Sequence, residues 1–313
     1  MEYNKVINAD SLEHLKTLDD NVFDSCVTDP PYHLTSIVKR FTKGPAAKHG
    51  KDGSFNRLSK GFMGQEWDGG DIAFKKEFWE QVYRTIKPGG VLLAFAATRN
   101  YHRMATAIED SGFEIFDMIS WMYGSGFPKR KNYLKPAQEP IVMARKGVNK
   151  LNIDDCRTDS GRYPANVIHD GSDEVNEAFD KFGKNKGAKA PVKKQSGSFH
   201  FYEHEYKQRG DDGASFKNDT GNASRFYYCA KASKKEKGGT DHPTVKPLEL
   251  MKYLVRLVTP KDGLVLDPFA GTGTTGEAAI LEGTKYYLIE KTPEYIKDIE
   301  KRVNKFNKEF IWT

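Results

Sequence analysis

Short apolar stretches alternate with helical patterns at both ends of the chain. Runs such as residues 91–97 have the length of buried strands, and leucines recur at helical spacing after Ser11, the expected N-cap of a first helix. A turn at Lys87-Pro88-Gly89-Gly90 is expected to separate a helix from the next strand. Predicted strands cover 6–7, 22–28, 91–97, 113–123, 139–144, 263–266 and 286–289, and predicted helices cover 12–18, 74–86, 101–111, 247–258, 275–282 and a segment from residue 293. This alternation predicts an α/β fold with a mostly parallel sheet.

The periodic pattern is interrupted in the region 146–239. This region is polar, rich in Gly, Asn, Lys and Asp, and carries scattered aromatic residues, so we expect an inserted lobe with little regular structure. Residues 181–240 contain 14 Lys or Arg and 6 Asp or Glu, whereas the whole chain contains 49 and 43. Such a basic patch fits a surface that docks on a phosphate backbone, and it equally fits a solvated, poorly ordered surface.

Composition narrows the class of protein further. The chain has 313 residues, enough for one large domain or two modest ones. Cys26, Cys156 and Cys229 are far apart and form no C-x-x-C pair, so we expect neither a disulfide framework nor a metal site. We also expect no signal peptide and no membrane span, because no long apolar run occurs. The cytoplasm is the expected location.

A predicted strand–turn–helix unit near the C-terminal end carries a glycine-rich turn. Strand 263–266 enters Asp267-Pro268-Phe269-Ala270-Gly271-Thr272-Gly273-Thr274-Thr275, and the next strand ends in Glu290. Glycines let the backbone approach a ligand, and an acid at that strand end can accept both ribose hydroxyls of an adenosine-containing cofactor. Asp267 suits a cationic group, such as the amino group of a methionine moiety, better than a pyrophosphate. An ordinary βα turn is the alternative interpretation.

The segment Asp29-Pro30-Pro31-Tyr32 follows the predicted strand 22–28, and its prolines end the strand and stiffen the backbone. Ligands of open α/β sheets bind at the carboxyl ends of strands. The Asp29 carboxylate and an outward-facing Pro30 carbonyl could accept the two hydrogens of an exocyclic amino group, while Tyr32 stacks on its ring. Taken alone, the segment fits a diproline turn at a strand end equally well.

Together the two motifs resemble those of the amino-methylating DNA methyltransferases, which make N6-methyladenine or N4-methylcytosine. The catalytic motif of that family is (D/N/S)-P-P-(Y/F/W), here Asp29-Pro30-Pro31-Tyr32, and its cofactor motif is F-x-G-x-G, here Phe269-Ala270-Gly271-Thr272-Gly273. In this chain the catalytic motif comes first and the irregular lobe lies between the motifs, an order similar to the β group. Protein-glutamine and rRNA methyltransferases with an N-P-P-Y motif usually place the cofactor motif first, so the order favours DNA.

The resemblance covers about residues 3–145 and 240–300. It implies the Rossmann-like fold of a class I S-adenosylmethionine methyltransferase with permuted motif order and helices on both faces of the sheet. The implied catalytic domain comprises residues 1–145 and 240–313, and the implied target-recognition region is the lobe 146–239. Residues 224–231 are also similar to segments of phage and prophage members. The implied partner is double-stranded DNA, and we expect a homodimer because the family often pairs through its catalytic domain.

Individual positions match the family as well. Asp10-Ser11 match a strand-end segment near the cofactor adenine, residues 242–247 match a segment that packs against the cofactor, and residues 119–128 match a late strand and loop. The implied catalytic residues are Asp29, Pro30, Pro31 and Tyr32. The implied S-adenosylmethionine-binding residues are Asp10, Ser11, Asp29, His242, Thr244, Lys246, Asp267, Phe269, Ala270, Gly271, Gly273, Thr274, Thr275 and Glu290.

The residue before the two prolines bears on the choice of target base. An Asp before the prolines is similar to the adenine enzymes, whereas Ser is commoner in the N4-cytosine enzymes, so we expect methylation of a flipped-out adenine. Basic residues of the lobe and of the segment Lys39-Arg40…Lys43 are expected to hold phosphates. An N4-cytosine enzyme, a catalytically silent DNA-binding relative, and an RNA or protein methyltransferase are the alternatives.

Overall fold

A nine-stranded sheet forms the centre of the computed structural model. The structure describes residues 2–32, 71–124, 126, 132, 134–148, 151–158, 161–183, 185–186, 220–230 and 245–307. The strands are β1 Lys5–Asn8, β2 Phe23–Thr28, β3 Ile86–Phe95, β4 Glu114–Met122, β5 Gln138–Arg145, β6 Val167–His169, β7 Asn185–Lys186, β8 Thr220–Gly221, β9 Tyr228–Cys229, β10 Leu264–Asp267 and β11 Lys285–Glu290.

The order of strands across the sheet is β1-β11-β10-β2-β3-β5-β4-β6-β9, and β7 pairs with β8 in a separate two-stranded sheet. Strand β5 runs antiparallel to β3 and β4, and the remaining neighbours in the large sheet pair in parallel. The predicted mostly parallel α/β sheet is therefore confirmed. Because β5 is reversed, its amino end lies at the edge where the parallel strands have their carboxyl ends.

Helices cover both faces of the sheet. Helices α1 to α3 contribute Leu15, Trp79 and Ile108 to one hydrophobic core, and α5 to α7 contribute residues such as Leu254 and Ile299 to the other. The described helices are α1 Ser11–Lys16, α2 Lys76–Thr85, α3 Tyr101–Asp110, α4 Asp173–Asp180, α5 Leu248–Val258, α6 Thr274–Leu281 and α7 Pro293–Asn307. None of them is long and apolar enough to cross a bilayer.

The continuous apolar run in β3 follows from this two-sided packing. Val91, Leu93 and Phe95 point into one core, whereas Leu92 and Ala94 point into the other. A parallel strand buried on both faces needs apolar residues at every position, since successive side chains face opposite ways. Cys26 and Cys156 are buried in these cores as well.

The predicted turn at Lys87-Pro88-Gly89-Gly90 is wrong as a separate element, because these residues lie inside β3. Helix α2 ends at Thr85, and the pairing of β2 with β3 shifts register between Phe23 and Ser25. Pro88 cannot donate to a ladder and Gly89 has φ +84°, so the strand accommodates them as an irregularity. A Cβ on Gly90 would stand 2.8 Å from the Asp24 carbonyl oxygen.

The region 146–239 contains more regular structure than its composition indicates. Strand β6 pairs with β4 and strand β9 pairs with β6, so both extend the large sheet. Tyr228 stacks on Tyr253 of α5 with ring centroids 4.1 Å apart, which places one of the scattered aromatic residues in the core. Strands of two or three residues are too short to produce a readable alternation, and that is why the sequence did not reveal them.

Candidate active site

Four neighbouring parallel strands deliver acidic side chains to one edge of the sheet. Asp10 follows β1, Asp29 follows β2, Asp267 ends β10 and Glu290 ends β11. A cavity of about 690 Å³ opens at this edge, a volume within the range of about 300–1,000 Å³ for ligand and cofactor pockets. The predicted residues that line it are Asp10, Ser11, Asp29, Pro31, Lys246, Asp267, Phe269, Ala270, Gly271, Thr274, Thr275 and Glu290.

Some predicted site residues do not line the cavity. Pro30 is buried, and Tyr32 and Gly273 lie next to residues that line the wall. His242 and Thr244, like the segment Lys39-Arg40…Lys43, lie outside the described residues. Several lining residues were not predicted. Pro268 and Thr272 belong to the glycine-rich turn but were not selected, and the others come from segments that carry no motif: Asp71, Ile72, Met251, Lys291, Thr292, Pro293 and Tyr295.

The glycine-rich turn runs from β10 into α6 along the cavity. Gly271 and Gly273 have φ of +53° and +78°, which L side chains rarely adopt. A Cβ on Gly273 would also stand 2.8 Å from Cγ2 of Ile299 on α7. The backbone conformation therefore favours glycine at both positions, and the contact with Ile299 leaves no room for a side chain at Gly273, so the turn presents backbone at the start of α6.

Replacing Gly273 tests this geometry. We expect Gly273→Ala to lower the free energy of unfolding by about 1–3 kcal/mol, because positive φ and contact with Ile299 both oppose a Cβ. Gly283→Ala is the matched control, since Gly283 has φ +68° but no atom within 4 Å of its Cβ position. Chemical denaturation of both variants measures the difference. An equal loss in the two variants would contradict a tight contact between the turn and α7.

Asp267 is a buried carboxylate that organises the turn. Its Oδ1 accepts hydrogen bonds from Thr28 Oγ1 at 2.8 Å and from Phe269 N at 3.1 Å, and its Oδ2 accepts one from Thr275 Oγ1 at 2.5 Å. Burial raises the pKa of Asp267 to about 6, and these hydrogen bonds limit the rise. The side chain thus joins β2, β10 and α6 at the cavity wall.

Glu290 holds the turn from the other side. Its Oε2 accepts from Gly271 N at 2.9 Å, and its Oε1 accepts from Thr292 N at 2.7 Å. Burial raises the pKa of Glu290, while the backbone amides oppose that rise. Each carboxylate oxygen retains a second lone pair that a ligand hydroxyl can use.

The segment after β1 closes the same wall. Asp10, not Ser11, is the N-cap of α1, because its Oδ1 accepts from Leu12 N and Glu13 N at 3.1 and 3.3 Å. The predicted Ser N-cap is therefore wrong by one residue. The Ser11 hydroxyl instead donates to the Pro268 carbonyl oxygen, and it thereby ties α1 to the glycine-rich turn.

The segment Asp29-Pro30-Pro31-Tyr32 leaves the sheet immediately after β2, as predicted. The Tyr32 hydroxyl donates to Asp29 Oδ1 at 2.6 Å, and Asn100 Nδ2 donates to the Tyr32 carbonyl oxygen at 2.5 Å. Burial raises the pKa of Tyr32 well above its usual value, and the Asp29 and Glu139 carboxylates add to the rise. Tyr32 therefore stays a neutral donor that orients the Asp29 carboxylate.

Lys246 and Glu139 complete a cluster around Asp29. Lys246 Nζ lies 2.5 Å from Asp29 Oδ2, 3.3 Å from Glu139 Oε2 and 3.2 Å from the Tyr32 hydroxyl. Lys246 was predicted to bind the cofactor, and its contacts with Asp29 and Tyr32 were not predicted. Glu139 was not predicted at all, although a charged residue at the start of the apolar strand β5 is the signal that could have revealed it.

The match to known proteins covers almost the whole chain. A family model described as DNA methylase matches residues 23–301. The Type II methyltransferase M2.LlaDCHI of Lactococcus lactis subsp. cremoris is 25% identical over 306 residues, which are 96% of this chain and 89% of that protein. The Type II methyltransferase M.HindIII of Haemophilus influenzae is 28% identical over 290 residues, which are 88% and 86% of the two chains.

Solved structures share the fold. The cytosine-N4-specific PvuII DNA methyltransferase superimposes with a TM-score of 0.56 at 18% identity, over 96% of this chain and 86% of that one. The M1.HpyAVI–SAM complex superimposes with a TM-score of 0.51 at 19% identity, over 95% of this chain and 98% of that one. At these identities the likeness concerns the fold, and it agrees with the mostly parallel sheet covered on both faces.

Proposed function

Because this chain belongs to the DNA methylase family, we propose that it transfers a methyl group from S-adenosylmethionine to the N6 amino group of adenine in double-stranded DNA. Members of the family are S-adenosylmethionine-dependent and act on N6 or N4 amino groups of DNA bases, so the choice of adenine is the finer part of the proposal. The observation that carries it is the position of Asp29 on the wall of the cavity that the glycine-rich turn also lines.

The residues of the cavity fit S-adenosylmethionine. A glycine-rich turn borders it, in which Gly273 leaves no room for a side chain, and the acids that line the cavity suit a ligand with a cationic end and a ribose. In the proposal, Glu290 accepts the ribose hydroxyls, Asp267 attracts the methionine ammonium group through its charge, and Asp10 and Ser11 lie near the adenine. When bound, this cofactor supplies an electrophilic methyl group on a sulfonium centre.

The affinity for S-adenosylmethionine is expected to fall as the pH is lowered through about 6. The Asp267 pKa is about 6, so the carboxylate is charged above that pH and loses its charge below it. Loss of the negative charge removes its attraction for the ammonium group, and the dissociation constant should rise by up to about tenfold per pH unit. Calorimetric titration between pH 5 and 8 measures this change.

The matched variant for this titration is Asp267→Asn, which keeps the size of the side chain but carries no charge at any pH. We expect weaker binding that depends less on pH. Glu290, whose pKa is also raised, contributes to the pH dependence of cofactor affinity in the same direction, and this contribution remains in the variant. A variant with the same pH dependence as the natural chain would contradict the role of Asp267.

The exocyclic amino group of the target base is a poor nucleophile, and the protein must make it reactive. The lone pair of an exocyclic amino nitrogen is delocalised into the base, and acceptors for its two hydrogens return electron density to nitrogen. In the proposal these acceptors are the Asp29 carboxylate and the Pro30 carbonyl, while Tyr32 stacks on the flipped base. Tyr32, which bonds to Asp29, supplies the preorganisation that such a site needs. Transfer is direct, without a covalent enzyme intermediate.

Product nucleosides distinguish adenine from cytosine. Unmethylated DNA is incubated with the protein and S-adenosylmethionine, digested to nucleosides and analysed by mass spectrometry. The proposal predicts N6-methyldeoxyadenosine and no N4-methyldeoxycytidine. The reverse result would overturn the choice of base but leave the amino methyltransferase assignment intact.

The proposal also assigns target recognition to the lobe 146–239, whose basic residues would contact phosphates. It includes a homodimer and a cytoplasmic location. The role of the lobe in target recognition is tested by replacing residues 187–219 with the corresponding segment of a related methyltransferase whose recognition sequence is known. The methylated sequence should follow the exchanged segment, and an unchanged sequence would contradict the assignment. Light scattering of the purified protein tests the dimer.

A further inference from the structure

Glu139 shares two hydrogen-bond donors with Asp29. It lies at the amino end of the reversed strand β5, and this end is next to the carboxyl ends of the parallel strands. Its Oε2 stands 3.3 Å from the Tyr32 hydroxyl and 3.3 Å from Lys246 Nζ. The same hydroxyl and ammonium group are closer to Asp29, at 2.6 and 2.5 Å. Two carboxylates therefore compete for one ammonium group and one hydroxyl.

Both oxygens of Asp29 are engaged in this arrangement. A target amino group must therefore displace a donor or share an oxygen with one. The Lys246 ammonium group is the strongest competitor, because a short contact between opposite charges is stronger than a neutral hydrogen bond. Lys246 is only 9% exposed, so its ammonium group cannot retreat into water without a large rearrangement.

Lys246 also stays charged. Burial lowers the pKa of Lys246, but the carboxylates of Asp29 and Glu139 outweigh burial and hold it above its ordinary value. Among the residues that the structure describes, the other titratable groups coupled to this cluster are the hydroxyls of Tyr32 and Tyr123 and the carboxyl group of Asp267, which interacts with Asp29. Burial, followed by the Glu139 charge, raises the pKa of Tyr123 to about 12. At neutral pH the Lys246 charge can leave Asp29 only by moving to another anion.

We propose that Glu139 is a positioning residue that takes over the Lys246 ammonium group when the target amino group binds Asp29. The proposal rests on the proposed function. Lys246 Nζ lies 4.7 Å from the centre of the Phe95 ring and 5.5 Å from that of Tyr32, distances at which aromatic rings attract a cation. The ammonium group can thus shift toward Glu139 while it keeps contact with both rings, and Asp29 gains a free acceptor.

A double-mutant cycle tests this coupling. Glu139→Gln, Lys246→Met and the double variant are compared with the natural chain by single-turnover transfer of a tritiated methyl group to unmethylated DNA. We expect Glu139→Gln to slow transfer at least about tenfold in the natural background, because Lys246 then holds Asp29 more tightly. In the Lys246→Met background the same substitution should change the rate less than about twofold. If Glu139→Gln slows transfer by the same factor in both backgrounds, the proposal is overturned.

Two further readouts separate positioning from a structural role. The dissociation constant for S-adenosylmethionine should stay within about twofold in Glu139→Gln, so the deficit lies in transfer rather than cofactor binding. Glu139→Asp, which keeps the negative charge on a shorter side chain, should recover part of the rate that Glu139→Gln loses. If Lys246→Met alone abolishes transfer, this comparison decides, and equal deficits in Glu139→Asp and Glu139→Gln contradict the proposal.

The matched control is Glu114→Gln. Glu114 forms an ion pair of 2.6 Å with Arg145, which lies at the opposite end of β5 from Glu139. Removal of the Glu114 charge should leave methyl transfer unchanged. Absence of transfer by the natural chain would contradict the proposed function and, with it, the role of Glu139. If the natural chain transfers methyl groups normally but Glu139→Gln slows transfer by the same factor in both backgrounds, only the proposed role of Glu139 is contradicted.

Discussion

Replacement of Asp29 by Ala should reduce methyl transfer by at least about 10²–10³-fold, while the affinity for S-adenosylmethionine changes little. Asp29 is the acidic group of the cluster that lines the cavity, and Tyr32 and Lys246 hold its two oxygens in place. Without the carboxylate, the target amino group loses one of its two acceptors and its nitrogen stays a poor nucleophile. Single-turnover transfer and calorimetric titration of the cofactor measure the two effects separately.

Asp24→Ala is the matched control for this variant. Asp24 lies on β2, the strand that Asp29 follows, and it also pairs with a lysine, since Lys87 Nζ stands 2.8 Å from its Oδ1. Its other oxygen accepts from Leu264 N, away from the cavity. We expect a loss of stability in Asp24→Ala with normal transfer. Transfer that falls equally in both variants would show that loss of stability, not of an acceptor, explains the effect of Asp29→Ala.

Replacement of Glu290 by Ala should weaken S-adenosylmethionine binding by about 10²-fold or more. Hydrogen bonds to a charged group are worth about 1.5–3 kcal/mol each, and in the proposed binding mode the variant loses two such bonds to the ribose hydroxyls. It also releases Gly271 N and Thr292 N, so the glycine-rich turn loses an anchor. Calorimetric titration gives the affinity, and transfer at saturating cofactor should recover most of the natural rate.

Glu282→Ala serves as the control for Glu290→Ala. Glu282 accepts two hydrogen bonds of 2.7 Å from Arg256, so its removal also breaks a well-formed carboxylate contact near the C-terminal end of α6. We expect a change in stability without a change in cofactor affinity. If Asp29→Ala weakened cofactor binding as much as Glu290→Ala does, the division of roles between the two acids would be wrong.

The sequence predicted the fold and the motif positions because both depend on local patterns. The strands that end at Thr28, Asp267 and Glu290 are short segments rich in apolar residues that stop at polar residues, and a parallel sheet brings such ends to one edge. The match of residues 23–301 to a DNA methylase model confirms the family that these motifs indicated. The choice of adenine rests on one residue, Asp29, and stays a prediction.

The cluster of Asp29, Lys246 and Glu139 could not be predicted from local patterns. It depends on the reversal of β5, which places Glu139 beside Tyr32 although the two residues are far apart in the chain. Nothing in the composition of an apolar strand reveals its direction. The N-cap was misassigned for a related reason, since Asp10 and Ser11 can both cap a helix and the tertiary contact of Ser11 with Pro268 decided between them.

The most direct test of the account is transfer of a tritiated methyl group from S-adenosylmethionine to nucleic acid. The natural chain and Asp29→Ala are each incubated with unmethylated genomic DNA and, in parallel, with RNA. The account predicts label in DNA from the natural chain, little in RNA, and a loss of at least about 10²-fold in Asp29→Ala. Binding of S-adenosylmethionine without label in any DNA, or preferential labelling of RNA, would contradict it.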